Sequence, residues 1–278
     1  MTDSKLCLAG VIGAPIAHSR SPRLHRHWLD RYGIEGHYIP MEVQQSDLAE
    51  VIAMLPRLGF VGLNVTIPHK ESVLKLADVV TDRAALIGAA NTLIYRKDGK
   101  LHADNTDGIG FLANLRQQVP GWSPAAGPAA VLGAGGAARA VISALIEAGV
   151  PELRLANRTR TRAEALRAEF GGRVVVYDWV QLAPMLEDSL TVVNTTALGM
   201  TGKPDLRIPF DALNPRAVVN DLVYTPLDTH FLEEAARRGC TAVDGLGMLL
   251  HQAAPGFERW FGKRPEVDAA ARVAVLGT

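Results

Sequence analysis

Short apolar runs alternate with amphipathic stretches along most of the chain. In the first third, runs at 6–12, 37–43, 60–66 and 90–96 read as strands, and 22–32, 46–55 and 69–77 carry helical spacing. The turn-rich segment QQVPGWSPAAGP (117–128) then breaks the pattern and reads as a surface loop. A second alternation follows: strand 129–132, helix 136–149, strand 153–157, helix 162–170, then strands 173–176, 190–194 and 217–221. Helices near 227–238 and 246–260 finish the chain, and a helix from about Thr106 to Gln117 makes the first crossing between the blocks. Strands that alternate with helices predict α/β architecture with mainly parallel sheets. Two such blocks predict two domains with a cleft between them.

Composition narrows the possible partners. The 278 residues carry 29 basic and 29 acidic side chains, so no net charge favours a nucleic-acid partner. KLCLAGVIGAPIA (5–17) has the lysine-then-apolar order of a signal peptide, but Asp3 offsets Lys5, and glycine and proline interrupt the run. It reads better as a buried first strand, Leu6 to Ile12, ending in a Gly-Ala-Pro turn. No apolar stretch approaches the ~20 residues of a membrane helix. Cys7 and Cys240 read as two reduced thiols, and a cytoplasmic location is expected. None of the eight histidines has metal-ligand spacing, and His25 and His27 diverge on one helix, so no metal is expected.

The clearest chemical motif is VLGAGGAARAVISALIEAG (131–149). Gly133, Gly135 and Ala138 fit G-x-G-x-x-G/A, between an apolar strand and an amphipathic helix. Such glycines let the backbone approach a pyrophosphate, while the helix start offers free N–H groups and a positive dipole end. NAD sites usually place an acid after the next strand. Here Asn157 stands there, followed by Arg158 and Arg162, which suit a 2′-phosphate and predict NADP. Arg160 reads as a solvated helix position. Thr161 and Glu164 form an S/T-x-x-E pattern, read as a capping box for the next helix.

Polar groups also collect at strand ends in the first block. In NVTIPHK (64–70), Val65 and Ile67 read as strand anchors, Pro68 stops the ladder, His69 starts a helix, and Asn64, Thr66 and Lys70 are left as polar candidates. In HSRSPRLHRHWL (18–29), Ser21 and Pro22 suit a helix N-cap and first position, while Ser19 and Ser21 also suit an anion. Asn91 in GAANTLIY and Asp107 in HADNTDGIG flank further strand ends, with Asp107 in the first turn of a helix. The carboxyl ends of strands are where open α/β sheets bind ligands.

In combination, HSRSP, NVTIPHK, GAANTL, NTDG, GAGGAAR, NRT, NTTALGM and VDGLGMLLHQA resemble the shikimate dehydrogenase family over essentially the whole chain. The resemblance implies an N-terminal α/β substrate domain, 1–106 with 245–278, and a Rossmann-type NADP domain, 107–244. It implies reversible NADP-linked reduction of 3-dehydroshikimate to shikimate in aromatic biosynthesis. Lys70 would be the proton-transfer residue and Asp107 its partner, with Ser19 and Ser21 on the substrate carboxylate. Thr66, Asn91, Tyr224 and Gln252 would contact substrate, with Asn64 close by. Gly133, Ala134, Gly135, Gly136 and Ala137 would hold the pyrophosphate, and Asn157, Arg158, Thr159 and Arg162 the adenosine phosphate. Asp82, Leu222 and Gly245 are implied near the cofactor by resemblance alone.

Two positions depart from the family: Arg26 stands where asparagine is common, and the glycine motif ends in AAR rather than ASR. Alternatives are a quinate or aminoshikimate dehydrogenase and a non-catalytic NADP(H)-binding sensor. The quinate-oxidising, NAD-using relatives tend to carry the acid this chain lacks, and a sensor has no need for Lys70, Asp107 and the serines together. A folate-type dehydrogenase would not account for those serines. Partners are expected to be small molecules, with the chain a monomer or homodimer.

Overall fold

A computed structural model describes residues 7–277, so the expected strand start at Leu6 lies outside the described residues. The chain divides into two compact units, Met1–Asp107 with Leu249–Thr278, and Gly108–Met248. Among the described residues no helix is long and apolar enough to cross a membrane.

The first unit is built on strands β1 (Cys7–Gly13), β2 (Gly36–Glu42), β3 (Phe60–Val65), β4 (Val79–Val80), β5 (Thr92–Tyr95) and β6 (Leu101–Asp104). Its helices are α1 (Ser21–Tyr32), α2 (Leu48–Met54) and α3 (Asp82–Ile87). The sheet order is β2-β1-β3-β5-β6-β4. Parallel pairing joins β1 to β2 and β3, and β4 to β6, whereas β5 runs antiparallel to both β3 and β6. The expected strand 90–96 is therefore the first arm of a hairpin. Its turn closes where Arg96 N–H donates to Lys100 O and Gly99 adopts φ 82°. Asp98-Gly99 between apolar arms is the hairpin signal that the strand–helix pattern passed over.

Two other expectations fail nearby. The helix expected over 69–77 is a turn followed by one 3₁₀ turn, Ser72–Lys75. His69 does not begin a helix; its buried ring lies 2.7 Å from Val43 O through Nε2 and 3.0 Å from Gln45 Oε1 through Nδ1. These bonds tie the loop to the segment after β2. Val65 ends β3 in the core, but Ile67 is 73% exposed and anchors nothing. The strand pairing stops at Val65, so Ile67 falls on the turn side of Thr66.

The second unit holds α4 (Asp107–Gln118, after its first residue), β7 (Ala129–Leu132), α5 (Gly136–Glu147), β8 (Leu153–Ala156), α6 (Arg160–Phe170) and β9 (Val174–Tyr177). It continues with α7 (Leu182–Leu186), β10 (Thr191–Asn194), β11 (Val218–Asp221), α8 (His230–Arg237) and β12 (Thr241–Val243). The sheet is parallel throughout, in the order β12-β11-β10-β7-β8-β9, which is the doubly wound arrangement with its order reversing beside β7. Strands β7 and β10 are buried along their whole length, as a sheet covered on both faces requires. One core layer gathers Val131, Val141, Leu145, Leu155 and Phe111, and the other Leu132, Val192, Val219 and Phe231.

The chain leaves this unit in α9 (Leu246–Phe261), whose residues from Leu249 onward belong to the first unit, and ends in α10 (Ala269–Leu276). In the first unit α9 is fastened to β5, since Trp260 Nε1 donates to Leu93 O at 3.0 Å. A Cβ on Gly62 would collide with both of these atoms. Gly62→Ala should therefore overpack the sheet–helix contact and displace that bond, at about 3 kcal/mol. Thermal unfolding should show a Tm lower by roughly 6 °C or more, and an unchanged Tm would disprove the collision.

Candidate active site

Strand ends in the first unit deliver a connected polar set. Asp107 opens α4, and its N–H donates to Asn105 Oδ1 at 3.0 Å, which fixes the start of the helix. Asp107 Oδ2 receives Lys70 Nζ at 2.6 Å, and Oδ1 receives Asn91 Nδ2 at 2.7 Å. The aspartate is buried, while the lysine side chain keeps 20% of its surface exposed. One partner is thus held rigidly and the other can be reached.

Asn91 is oriented by its neighbours. Its Oδ1 accepts from Thr106 N–H and from Thr92 Oγ1, both at 2.9 Å. Its Nδ2 must then face acceptors, and it bonds Gln252 Oε1 at 3.1 Å as well as Asp107. Thr106 Oγ1 donates to Gln252 O at 2.8 Å, which brings α9 into the set. On the other side, Asn64 Nδ2 donates to Asn91 O at 3.0 Å and Asn64 Oδ1 accepts from Tyr38 Oη at 2.7 Å. Ser21 bonds the same phenol, whose pKa is raised well above the usual value, chiefly by burial.

Ser21, Tyr38, Asn64, Asn91, Gln252, Asp107 and Lys70 of the first unit therefore lie in one chain of contacts. The sequence pattern points to Ser21, Asn64, Asn91, Asp107 and Lys70, and the family resemblance adds Gln252; neither points to Tyr38. That residue alternates inward on β2, where its ring stacks on the buried His25 ring at 3.8 Å. Burial pushes His25 down to about 3, so it is neutral at ordinary pH. Ser21 does not cap its helix: Arg20 occupies the N-cap position, and Ser21 is the first helical residue with its hydroxyl turned to Tyr38. Ser19 and Thr66 stand outside the network, half-buried, with their N–H groups on Ile16 O at 3.0 Å and Ile12 O at 2.9 Å.

The second unit supplies a cradle. Gly133 has φ 110°, and a Cβ there would lie 2.6 Å from Thr195 Oγ1, so both conformation and space demand glycine. At Gly135 and Gly136 an added Cβ would meet nothing. Gly135 precedes α5 without any side-chain cap, so the N–H groups of Gly136 and Ala137 remain for a ligand, beside Ala134 in the same loop. These features fit a pyrophosphate. After β8, Asn157 Nδ2 donates to Thr159 O at 2.8 Å and closes the turn into α6.

That turn starts α6 earlier than the sequence pattern implied. Thr159 is the N-cap residue, Thr161 lies inside the helix, and no side chain caps it, so the expected capping box is absent. Glu164 pairs instead with Arg160 at 2.8 Å, and Arg160 also holds Asp178 at 2.7 Å. Arg158 and Arg162 are exposed and have no ion-pair partner among the described residues.

Tyr224, Leu222 and Gly245 lie after β11 and β12 in the second unit. Asp82, which resemblance alone placed near the cofactor, is the exposed first residue of α3 in the first unit. Its helix is capped by Thr81, whose hydroxyl also donates to Asp104 at 2.8 Å. Burial raises the Asp104 pKa, but the Arg83 fork, the Thr81 hydroxyl and the Asn105 N–H outweigh it, leaving the carboxyl below its ordinary value.

The buried Asp221, at the end of β11, behaves in the opposite way. Burial raises it to about 6, against 3.8 for an ordinary aspartate, despite bonds from Val223 N–H, Thr229 Oγ1 and Asn194 Nδ2. A folded pKa above the unfolded one favours the protonated, folded form. Its stabilising contribution is complete below about 3.8 and is lost as pH rises through about 6. From pH 5 to 7 this one group should remove about 1 kcal/mol. Asp221→Asn should flatten that part of the Tm–pH curve, and an unchanged slope would disprove the assignment.

Comparison with known proteins gives three domain matches. Residues 11–93 match the shikimate dehydrogenase substrate binding domain, 118–199 shikimate / quinate 5-dehydrogenase, and 245–274 the shikimate 5′-dehydrogenase C-terminal domain. A shikimate dehydrogenase (NADP(+)) from Cereibacter sphaeroides strain KD131 is 72% identical, with 100% of each chain covered. The shikimate 5-dehydrogenase of Thermus thermophilus, solved in complex with NADP(H) and shikimate, is 39% identical over 98% of each chain, with a TM-score of 0.86. Quinate dehydrogenase from Corynebacterium glutamicum, in complex with NAD, is 30% identical over 97% of each chain, with a TM-score of 0.88. With its motifs in place along both units and an identity of 72% over its whole length, the chain belongs to the shikimate dehydrogenase family.

Proposed function

We propose that this chain is an NADP-dependent shikimate dehydrogenase, reversibly reducing 3-dehydroshikimate to shikimate in aromatic biosynthesis. The observation that carries this reading is the Lys70–Asp107 pair, with its aspartate buried and its lysine accessible, held among neutral donors and acceptors. A substrate with one carboxylate and three hydroxyls calls for such a set. The 72% identical Cereibacter relative supports the same activity. The substrates are soluble small molecules, and the cytoplasm is the proposed location.

In this reading Lys70 moves the proton to or from the oxygen on the reacting carbon, and Asp107 orients the lysine or that hydroxyl. Asn91 and Gln252 hold further substrate hydroxyls, with Asn64 and Thr66 beside them, and Tyr224 is carried over as a substrate contact. Ser19 and Ser21 take the carboxylate. When bound, NADP(H) supplies or accepts the hydride. Gly133 to Ala137 hold its pyrophosphate, while Asn157, Arg158, Thr159 and Arg162 hold its 2′-phosphate. Asp82, Leu222 and Gly245 are assigned to the cofactor by family resemblance. The two unpaired arginines and the missing acid favour NADP and the shikimate-selective branch over a quinate enzyme of the NAD type.

Absorbance of NADPH should rise when the protein is mixed with shikimate and NADP, and rise far less with quinate or with NAD. No turnover of shikimate would overturn the reading. Lys70→Ala should lower kcat by about 10²-fold or more while folding normally; near-normal turnover would remove Lys70 from the proton step. Arg158→Ala should raise the KM for NADP about tenfold, with little change for NAD, and equal effects on both would deny it the 2′-phosphate.

A further inference from the structure

We propose that Asp221, acting with Asn194, is a positioning residue for the nicotinamide half of the cofactor site. The idea rests on the NADP-binding reading above and concerns the second unit alone. Asp221 touches neither proposed catalytic group and belongs to none of the motifs assigned a binding role. It is nevertheless a fully buried carboxylate at the carboxyl end of a central parallel strand.

Three donors from three segments converge on Asp221. Asn194 Nδ2, at the end of β10, and Val223 N–H, in the loop after β11, both reach Oδ1 at 2.9 Å. Thr229 Oγ1, which caps α8, reaches Oδ2 at 2.7 Å. Asn194 extends the hub. Its Oδ1 accepts from Thr196 N–H at 3.0 Å and Thr196 Oγ1 at 2.7 Å, its Nδ2 reaches Leu198 O at 3.1 Å, and its backbone O accepts from Leu222 N–H at 3.0 Å. The loop after β10 and the loop after β11 are therefore set by one carboxylate–carboxamide pair.

The loop after β10 adjoins the cradle, and the loop after β11 adjoins Gly245. Thr195 donates to Leu132 O from its N–H at 2.9 Å and from Oγ1 at 2.8 Å, and the same hydroxyl crowds the space where Gly133 lacks a Cβ. Gly245, after β12, lies so close to the Leu222 backbone that a Cβ would stand 2.5 Å from its carbonyl carbon. The hub thus connects the ends of β7, β10, β11 and β12. It leaves out β8, after which come Arg158 and, in α6, Arg162. A dinucleotide crosses the strand ends at the point where the order reverses. With the 2′-phosphate on the β8 side and the pyrophosphate after β7, its other half falls beside β10 and β11.

A combined test separates this role from general stabilisation. Asp221→Ala should weaken NADPH binding, read by its fluorescence, about tenfold. Binding of adenosine 2′,5′-bisphosphate, which carries the β8-side groups and one phosphate of the pyrophosphate but no nicotinamide half, should stay within twofold. Asp221→Asn keeps an oxygen for Val223 and Asn194 and should restore most of the NADPH affinity. If Asp221→Ala does not fold, Asp221→Glu, with its acceptor displaced by one methylene, should show the same split. NADPH affinity within twofold of the starting protein, or equal loss for both probes, would overturn the proposal. These binding measurements need no turnover, so a protein inactive on shikimate would refute the proposed activity without touching this inference.

Discussion

The carboxylate of Asp107 is the constraint around which the first unit is arranged. A buried charge needs donors on both oxygens, and here they come from different elements: Lys70 from the turn after β3 and Asn91 from the start of β5. The helix that begins with Asp107 contributes its own dipole, with the positive end at the acid. Thr106 and Gln252 secure the arrangement to α9. Disturbing any of these elements leaves the acid short of a donor, which couples the chemistry of the site to the packing of the sheet.

The second unit meets a different demand. Its glycine loop must leave space, so the surrounding backbone has to be held by other means. Asn194 and Asp221 do this with side-chain bonds to main-chain groups, because loops at strand ends have no ladder partners. The two units therefore show contrasting uses of a buried aspartate. Asp104 is matched by Arg83 and stays below its ordinary pKa. Asp221, with only uncharged donors, is pushed up to about 6.

Much of this was legible in the sequence because it depends on local rules. The strand–glycine–helix order of 129–149, the uncharged Asn157 and the polar groups at the end of β3 each report their own surroundings. The losses came where partners are distant. Tyr38 looks like any inward residue of a strand until Asn64 is placed beside it. Ser21 next to Pro22 satisfies the pattern of a helix cap, yet the helix starts one residue earlier than that pattern assumes. The same one- or two-residue displacement moved Thr161 off the start of α6. In 69–77 the apolar spacing matched a helix, but Ala90 N–H is bonded to Lys70 O at 2.8 Å and His69 to the segment after β2, so tertiary bonds hold this stretch in a turn.

The orientation of the Asn91 amide also bears on chemical ageing. Its oxygen is committed to Thr92 and Thr106, and its nitrogen to Asp107. Hydrolysis of that amide would change few atoms, but it would replace the donor with a second carboxylate oxygen at 2.7 Å from the first. The pair would then have to share a proton or separate. Burial of Asn91, 2% exposed, shields the one amide whose loss would turn an attraction into a repulsion at the centre of the site.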